Sequence, residues 1–169
     1  MEYKLTTYSE SETIELAQNI ESEKFPNMVI CLTGDLGSGK TVFTKGFAGA
    51  LEVKEEVTSP TFNIIKEYLS GELPLYHMDV YRLEESKQDL GIEEYFTKKG
   101  ITIIEWADMI PDYLPEKRLD IKIKSSAEDE DKRIITITPH GSKYEELCEA
   151  ILWDIYTSIP HQIFFTVRL

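Results

Sequence analysis

A glycine-rich segment is the part of this sequence whose residue types and spacing point most clearly to chemistry. Residues 34–41 read GDLGSGKT, which fits the pattern GxxxxGK[ST]. In this pattern the glycines let the backbone wrap around an anion, so that successive N–H groups and the start of the following helix point at phosphate oxygens. Lys40 adds a positive charge at the β and γ phosphates, and the Thr41 hydroxyl binds Mg²⁺. The motif therefore predicts a P-loop that binds a nucleoside triphosphate with its Mg²⁺.

Two acidic residues could complete a nucleotidase site around this loop. Such a site needs a carboxylate at the C-terminal end of a neighbouring strand, either to hold Mg²⁺ or to position the attacking water. Asp79 ends the run LYHMD, and Glu105 ends the run ITIIE. If both strands run parallel to the strand before the P-loop, both side chains emerge at the same edge of the sheet. Either residue alone could instead be a solvated acid at a strand end.

A third segment, TSPTF at residues 58–62, follows the predicted P-loop helix. Nucleotide switches often place a threonine here that senses the γ-phosphate and the metal, and Thr58 and Thr61 are the candidates. The alternative is a proline-containing turn that leads into the next strand.

The sequence favours adenine over guanine and water over a metabolite as phosphate acceptor. Guanine recognition calls for an NKxD-like sequence after a late strand, whereas SKQD at 86–89 has serine in the first position and precedes the ITIIE strand. Kinases of small molecules use an arginine-rich lid, and this chain has only four arginines, none of them paired. Two alternatives remain open: a small-molecule kinase, and a nucleotide-gated binding module with negligible turnover.

The elements that would position these residues alternate between strands and helices before ending in a hairpin. We expect helices after Ser9 or Ser11, after the P-loop, near 84–97 and over 142–156, and we expect Gly46 and Gly49 to permit close packing of the second helix on the sheet. The pattern predicts an α/β, P-loop nucleotidase-like three-layer fold with a mixed β-sheet flanked by helices. The predicted strands are residues 3–8 (an edge strand), 28–33, 63–68, 75–81, 101–107, 118–125 and 132–138.

Composition limits both the partners and the compartment. The net charge of −13 comes from 31 acidic and 18 basic residues, so the surface should repel a nucleic-acid backbone, and any role in a nucleic-acid pathway should run through a partner protein. Cys31 and Cys148 are far apart and have no neighbouring histidines, which argues against a zinc site. With neither a signal peptide nor a long apolar run, a cytoplasmic protein is expected.

The length and the 41% apolar content fit one domain, which we place at residues 1–153. The sequence from 154 to 169, DIYTSIPHQIFFTVRL, changes composition abruptly. We predict an atypical apolar tail outside the domain, either a partner-binding segment or an artefact of the reading frame, with a slight preference for the second.

Four segments together resemble the bacterial TsaE family, in order and spacing: GDLGSGKT, SPTF, HMDVYRL and IIEWAD. The resemblance extends from about residue 5 to 152 and leaves out the tail. It implies the small ATPase of the tRNA threonylcarbamoyladenosine pathway, acting with partner subunits of the TsaB and TsaD types in a complex that modifies the adenosine next to the tRNA anticodon. The ligands would be ATP and Mg²⁺, tRNA would be contacted only indirectly, and no membrane would be involved.

The same resemblance assigns roles to individual residues. It implies that Thr41 and Glu105 bind Mg²⁺ and that Asp79 is a catalytic carboxylate. Trp106 would lie beside the metal, Thr61 would be the switch threonine, and Arg133 would approach the nucleotide from the hairpin. The predicted catalytic residues are Lys40, Asp79 and Glu105, and the predicted nucleotide-binding residues are Leu36, Gly37, Ser38, Gly39, Lys40, Thr41, Val42, Thr61, Trp106 and Arg133.

Overall fold

A mixed sheet of eight strands forms the centre of the part of the chain that can be described. The computed structural model describes residues 1–60, 64–83 and 91–158, and the backbone of 166–168. The strands are β1 (Glu2–Thr7), β2 (Val29–Thr33), β3 (Ile65–Tyr68), β4 (Leu75–Asp79), β5 (Ile101–Glu105), β6 (Arg118–Ser125), β7 (Arg133–His140) and β8 (Thr166–Arg168). The α-helices are α1 (Glu10–Ser22), α2 (Lys40–Ala50) and α3 (Ser142–Ser158).

The strand order is β3-β4-β5-β2-β6-β7-β1-β8. The four central strands β4, β5, β2 and β6 are parallel, whereas the outer pairs are antiparallel. Strand β2, which leads into the glycine-rich loop, therefore has parallel neighbours on both sides. The mixed sheet and the α/β class predicted from the sequence are confirmed.

Residues of β2 contribute alternately to two hydrophobic clusters, one on each face of the sheet. Ile30 and Leu32 belong to the cluster that contains the buried residues of α1, α2 and α3. Val29 and Cys31 belong to the other, which is completed by residues such as Ile92 and Ala107 from short 3₁₀-helical segments. These segments are Ile92–Thr97, Ala107–Met109 and Pro111–Tyr113. The sheet is thus covered on both faces, as the three-layer prediction requires.

Helix α1 begins after a side-chain cap. The hydroxyl of Ser9 accepts a hydrogen bond from the backbone N–H of Glu12 at 3.1 Å, and the Glu12 carboxylate accepts one from the N–H of Tyr8 at 2.7 Å. The cap thereby satisfies the N–H of Glu12, which the helix start would leave unpaired, and the Glu12 carboxylate binds the residue before the cap. Of the two predicted caps, Ser9 and Ser11, the structure has Ser9.

Several expected elements differ in the structure. Strand β1 lies between β7 and β8 and is not an edge. Of the helix expected near 84–97, residues 84–90 lie outside the described residues and Ile92–Thr97 is a 3₁₀ helix. Helix α3 runs past the predicted domain boundary at residue 153 to Ser158. Its Ile155 is buried in the hydrophobic cluster that also contains residues of α1 and α2. The tail residues 159–165 and 169 lie outside the described residues, so the tail stays a prediction. No helix in the described ranges is long and apolar enough to cross a membrane.

The two glycines of α2 have different surroundings. A Cβ at Gly46 would lie 3.1 Å from Ile14 Cα and 3.3 Å from Ala17 Cβ, so this glycine lets α2 approach α1 and not, as expected, the sheet. A Cβ at Gly49 would meet no atom of the described residues within 4 Å. Gly49 therefore has no packing role, and the expectation for it was also wrong.

The two positions form a matched pair for a stability measurement. Gly49→Ala should raise the free energy of unfolding by up to about 1 kcal/mol, because alanine is the better helix former. Gly46→Ala gains the same propensity but overfills the α1–α2 contact, which typically costs about 1–3 kcal/mol, so we expect net destabilisation. Urea unfolding of both variants measures the difference, and equal stabilisation by both would show that α1 moves away without cost.

Candidate functional site

The glycine-rich loop joins β2 to α2 and is shaped by backbone conformations that favour glycine. Gly34, Gly37 and Gly39 have φ angles of 144°, 75° and 111°. A Cβ on Gly34 would lie 2.2 Å from the carbonyl oxygen of Ile123 in β6, a distance no side chain tolerates. The first glycine of the motif therefore lets the loop lie directly against the neighbouring strand.

The side chain of Lys40, the first residue of α2, points back into the loop. Its ammonium donates hydrogen bonds to the carbonyl oxygens of Gly34 at 2.6 Å and Asp35 at 2.9 Å, with the Ser38 hydroxyl at 3.5 Å. The residue is only 5% exposed. The loop thus holds one cation at its centre.

Burial lowers the pKa of the Lys40 ammonium below its ordinary value. The nearby carboxylates of Glu105 and Asp79 oppose this effect and favour the charged form. A further anion at this position would be stabilised by the same ammonium.

Trp106 covers the ammonium of Lys40 from the side of β5. The ammonium nitrogen lies 4.1 Å from the centre of a Trp106 ring, a cation–π contact. The Trp106 backbone has a φ of 60°, which is rare for a residue with a side chain, and the Tyr81 ring centre lies 4.6 Å from that of the indole. An uncommon backbone conformation directly after the strand thus places an aromatic face on the cation.

The sheet register brings the two predicted carboxylates together. Asp79 pairs with Glu105 across β4 and β5, and Glu105 pairs with Leu32 across β5 and β2. Both acids therefore lie at the C-terminal edge of the parallel strands, next to the loop. Glu105 is 3% exposed, and one of its oxygens, Oε1, lies 3.4 Å from the hydroxyl of Thr41.

The other oxygen of Glu105 has a partner that the sequence analysis did not identify. Nε2 of His77 lies 2.5 Å from Glu105 Oε2, and the His77 side chain is fully buried. The sequence contained one signal for this contact. Side chains alternate between the two faces of a strand, which puts His77 and Asp79 on the same face of β4. Finding the contact also required the register between β4 and β5.

Asp79 is held by two groups. Its Oδ1 accepts a hydrogen bond from the backbone N–H of Tyr81 at 3.0 Å, and its Oδ2 lies 3.4 Å from the hydroxyl of Ser59. Ser59 belongs to the predicted switch segment, in which the candidates were Thr58 and Thr61. Thr61 lies outside the described residues. The Thr58 hydroxyl instead accepts a hydrogen bond from Lys66.

These groups surround a cleft of about 330 Å³. Leu36 at its rim is 89% exposed. Of the predicted residues that the structure describes, all but Arg133 and Thr58 line this cleft, and Glu10 and Ser59 were not foreseen. The lining residues are Glu10, Leu36, Gly37, Ser38, Gly39, Lys40, Thr41, Val42, Ser59, Asp79, Glu105 and Trp106.

Arg133, the first residue of β7, contacts the loop through its guanidinium group. Its Nε donates a hydrogen bond to the carbonyl oxygen of Ser38 at 2.8 Å, and its Nη1 donates to that of Lys132 at 3.1 Å. It also lines a smaller cavity of about 90 Å³, which shares Gly37 and Gly39 with the lining of the cleft. In this structure the arginine fixes the backbone of the loop.

The oxygen groups at the cleft suit a hard divalent cation. Thr41 and Glu105 offer a hydroxyl and a carboxylate within hydrogen-bonding distance of each other. Mg²⁺ is commonly held by one or two such groups together with phosphate oxygens and water. The described residues contain no cluster of three or more His, Cys, Asp or Glu side chains that could hold a metal without a nucleotide.

Comparison with known proteins places the chain in one family. The family model described as "Threonylcarbamoyl adenosine biosynthesis protein TsaE" matches residues 7–135. A tRNA threonylcarbamoyladenosine biosynthesis protein TsaE from Bacillus subtilis (strain 168) is 50% identical over 148 residues, which is 88% of this chain and 92% of that protein. The protein of the same name from Nostoc sp. is 39% identical over 124 residues, covering 70% of this chain and 75% of its own.

A solved structure is also similar to this chain over most of its length. The crystal structure of Bacillus subtilis YdiB superimposes with a TM-score of 0.79 at 44% sequence identity, covering 91% of this chain and 96% of that one. The match of the family model over most of the chain, with relatives of this identity and coverage, shows that the chain belongs to the TsaE family of threonylcarbamoyl adenosine biosynthesis proteins.

Proposed function

We propose that this chain binds ATP with Mg²⁺ in the cleft at the glycine-rich loop and hydrolyses it, as part of threonylcarbamoyladenosine biosynthesis. The observation that carries the proposal is the convergence of three chemical groups on one cleft. These are the buried ammonium of Lys40, the hydroxyl of Thr41 and the paired carboxylates of Asp79 and Glu105. The family membership supports the pathway.

The charges of the cleft explain why the nucleotide would enter with a metal ion. Asp79, Glu105 and Glu10 give the cleft three carboxylates beside one lysine. A triphosphate would be repelled by these carboxylates unless a divalent cation compensated for them. Thr41 and Glu105 would hold Mg²⁺, which when bound neutralises charge on the phosphate oxygens.

The chain's own groups suffice to position the reactants. Lys40 exchanges its contacts with the carbonyls of Gly34 and Asp35 for phosphate oxygens, while the loop N–H groups and the start of α2 hold the remaining oxygens. Asp79, held by Tyr81 N–H and Ser59, orients a water toward the γ-phosphate. Such catalysis depends on positioning and electrostatics, so slow turnover is expected for the chain without partners.

Two other functions fit the loop less well. A small-molecule kinase would need basic groups to clamp its second substrate, whereas the lining of the cleft has Lys40 as its one basic residue among the described positions. Release of phosphate from ATP without an added acceptor separates hydrolysis from that activity. A binding module without turnover would retain nucleotide but release no phosphate even with partners present.

The partners we propose are subunits of the threonylcarbamoyl transferase complex, of the TsaB and TsaD types. The net charge of −13 supports contact with tRNA through these proteins and not by direct binding. Hydrolysis would then reset the complex between rounds of modification.

The first prediction concerns Lys40. Lys40→Ala should weaken ATP binding at least about 100-fold and abolish phosphate release, because charge-assisted hydrogen bonds worth about 1.5–3 kcal/mol each are lost. Titration with a fluorescent ATP analogue and a phosphate-release assay without acceptor measure the two effects. Lys45→Ala, on the exposed side of the same helix, is the matched control and should behave as the wild type. If the Lys40→Ala variant bound the ATP analogue with wild-type affinity, the proposal would be refuted.

The second prediction separates the two carboxylates by substitutions that keep their shape. Glu105→Gln should raise the Mg²⁺ concentration needed for half-maximal ATP binding about 10-fold, because it removes a charged oxygen ligand. Asp79→Asn should retain this Mg²⁺ dependence and lower kcat by about 10²–10⁴-fold, because water positioning is lost. If Asp79→Asn raised the Mg²⁺ requirement and Glu105→Gln lowered only kcat, the two roles would be exchanged. Full activity in both variants would refute both roles.

The third prediction concerns the partners. Immobilised chain should retain purified TsaB- and TsaD-type subunits more strongly with Mg²⁺ and ATP than with EDTA, because the γ-phosphate and its metal would change the contacts made by Lys40 and Ser59. Lys40→Ala provides the control, since it should lose the nucleotide effect while remaining folded. Retention that is equal under all conditions would show that the contact is independent of the nucleotide site.

A further inference from the structure

The contact between His77 and Glu105 places a second buried polar residue behind the cleft. His77 has no exposed side-chain surface, and Glu105 exposes 4% of its side chain. The 2.5 Å between Nε2 and Oε2 makes this a close hydrogen bond. His77 is not among the residues that line the cleft, so it reaches the site only through Glu105.

The direction of the hydrogen bond follows from the chemistry of the two groups. Binding a cation requires Glu105 in its ionised form, and an ionised carboxylate can only accept, so in that state the Nε2–H of His77 donates to Oε2. Nδ1 of His77 is buried and has no hydrogen-bond partner among the described residues. Within that part of the chain the imidazole therefore has one polar contact, and that contact is with Glu105.

The two oxygens of Glu105 therefore contact two different residues. Oε2 is bonded to His77 beneath the cleft, and Oε1 is left facing the hydroxyl of Thr41 at 3.4 Å. Without the imidazole, rotation about the last bonds of the glutamate side chain would let either oxygen turn away from Thr41. A glutamate has several rotatable bonds, so its carboxylate is oriented only where neighbours restrain it.

We propose that His77 is a positioning residue that orients the Glu105 carboxylate for the divalent cation at Thr41. The inference rests on the proposed function, because it needs Glu105 to bind the metal. Removing a group that hydrogen-bonds to a metal-binding side chain typically lowers metal affinity or activity 10- to 100-fold. His77 would contribute in this way without touching the nucleotide.

The alternative is that His77 only fills space in the core. The two roles differ in what they require of a replacement, since packing needs volume whereas positioning needs a donor at the place of Nε2. Glutamine carries its amide nitrogen as many bonds from Cβ as Nε2 of histidine, and asparagine carries it one bond closer. His77→Gln should therefore reach Glu105, and His77→Asn should not.

The test measures the Mg²⁺ concentration for half-maximal binding of a fluorescent ATP analogue. His77→Asn should raise it about 10-fold, with no change in the affinity measured in EDTA, whereas His77→Gln should stay within about 3-fold of the wild type. His77→Met, which has no donor, should match His77→Asn and replaces it if that variant does not fold. Leu75→Ala is the packing control, since Leu75 is fully buried on the same face of β4, and it should lower the melting temperature without changing the Mg²⁺ requirement.

Three results would overturn the inference. The first is an unchanged Mg²⁺ requirement in His77→Asn and His77→Met, the second is an equal loss of affinity with Mg²⁺ and with EDTA, and the third is a His77→Gln variant as impaired as His77→Asn. Glu105→Gln, measured in parallel, separates this failure from that of the proposed function. If Glu105→Gln raises the requirement and the His77 variants do not, only the positioning role is wrong. If Glu105→Gln leaves it unchanged, the metal role of Glu105 and the inference fall together.

Discussion

The ammonium of Lys40 is held between two backbone carbonyls of the glycine-rich loop and the face of Trp106, almost out of contact with water. Removing a charge from water costs several kcal/mol unless polar partners compensate for it. The carbonyls of Gly34 and Asp35 provide that compensation, and their positions depend on a loop conformation that only glycine at position 34 allows. The charge of Lys40, the shape of the loop and the close packing on β6 therefore depend on one another.

The carboxylates at the edge of the sheet also compensate for the buried charge of Lys40. Parallel strands β4, β5 and β2 end at one edge, so that Asp79 and Glu105 come to lie beside Lys40. Glu105 is itself buried, and the hydrogen bond from His77 offsets part of the cost of its charge. The result is a compact arrangement of opposite charges, and we propose that it takes up a triphosphate together with a divalent cation.

The features that the sequence predicted best depend on local signals. The loop follows from the spacing of glycine, lysine and threonine, and the positions of Asp79 and Glu105 follow from apolar runs that end in an acid. The edge at which both emerge required only the assumption of parallel strands, which the sheet satisfies. The hairpin of β6 and β7 was likewise visible in the alternation of its residues.

The features that sequence reasoning missed depend on contacts between distant segments. His77 meets Glu105 only through the register of two strands, and Ser59 meets Asp79 through the path of a turn. Gly46 faces α1 and not the sheet because α1 lies across α2, which no pattern within α2 reveals.

The central claim remains that Lys40 exchanges its carbonyl partners for phosphates. A crystal structure with Mg²⁺ and a non-hydrolysable ATP analogue tests it most directly. The account predicts the Lys40 ammonium on β- and γ-phosphate oxygens and the metal on the Thr41 hydroxyl, whereas a bound analogue with Lys40 still on the oxygens of Gly34 and Asp35 would contradict it.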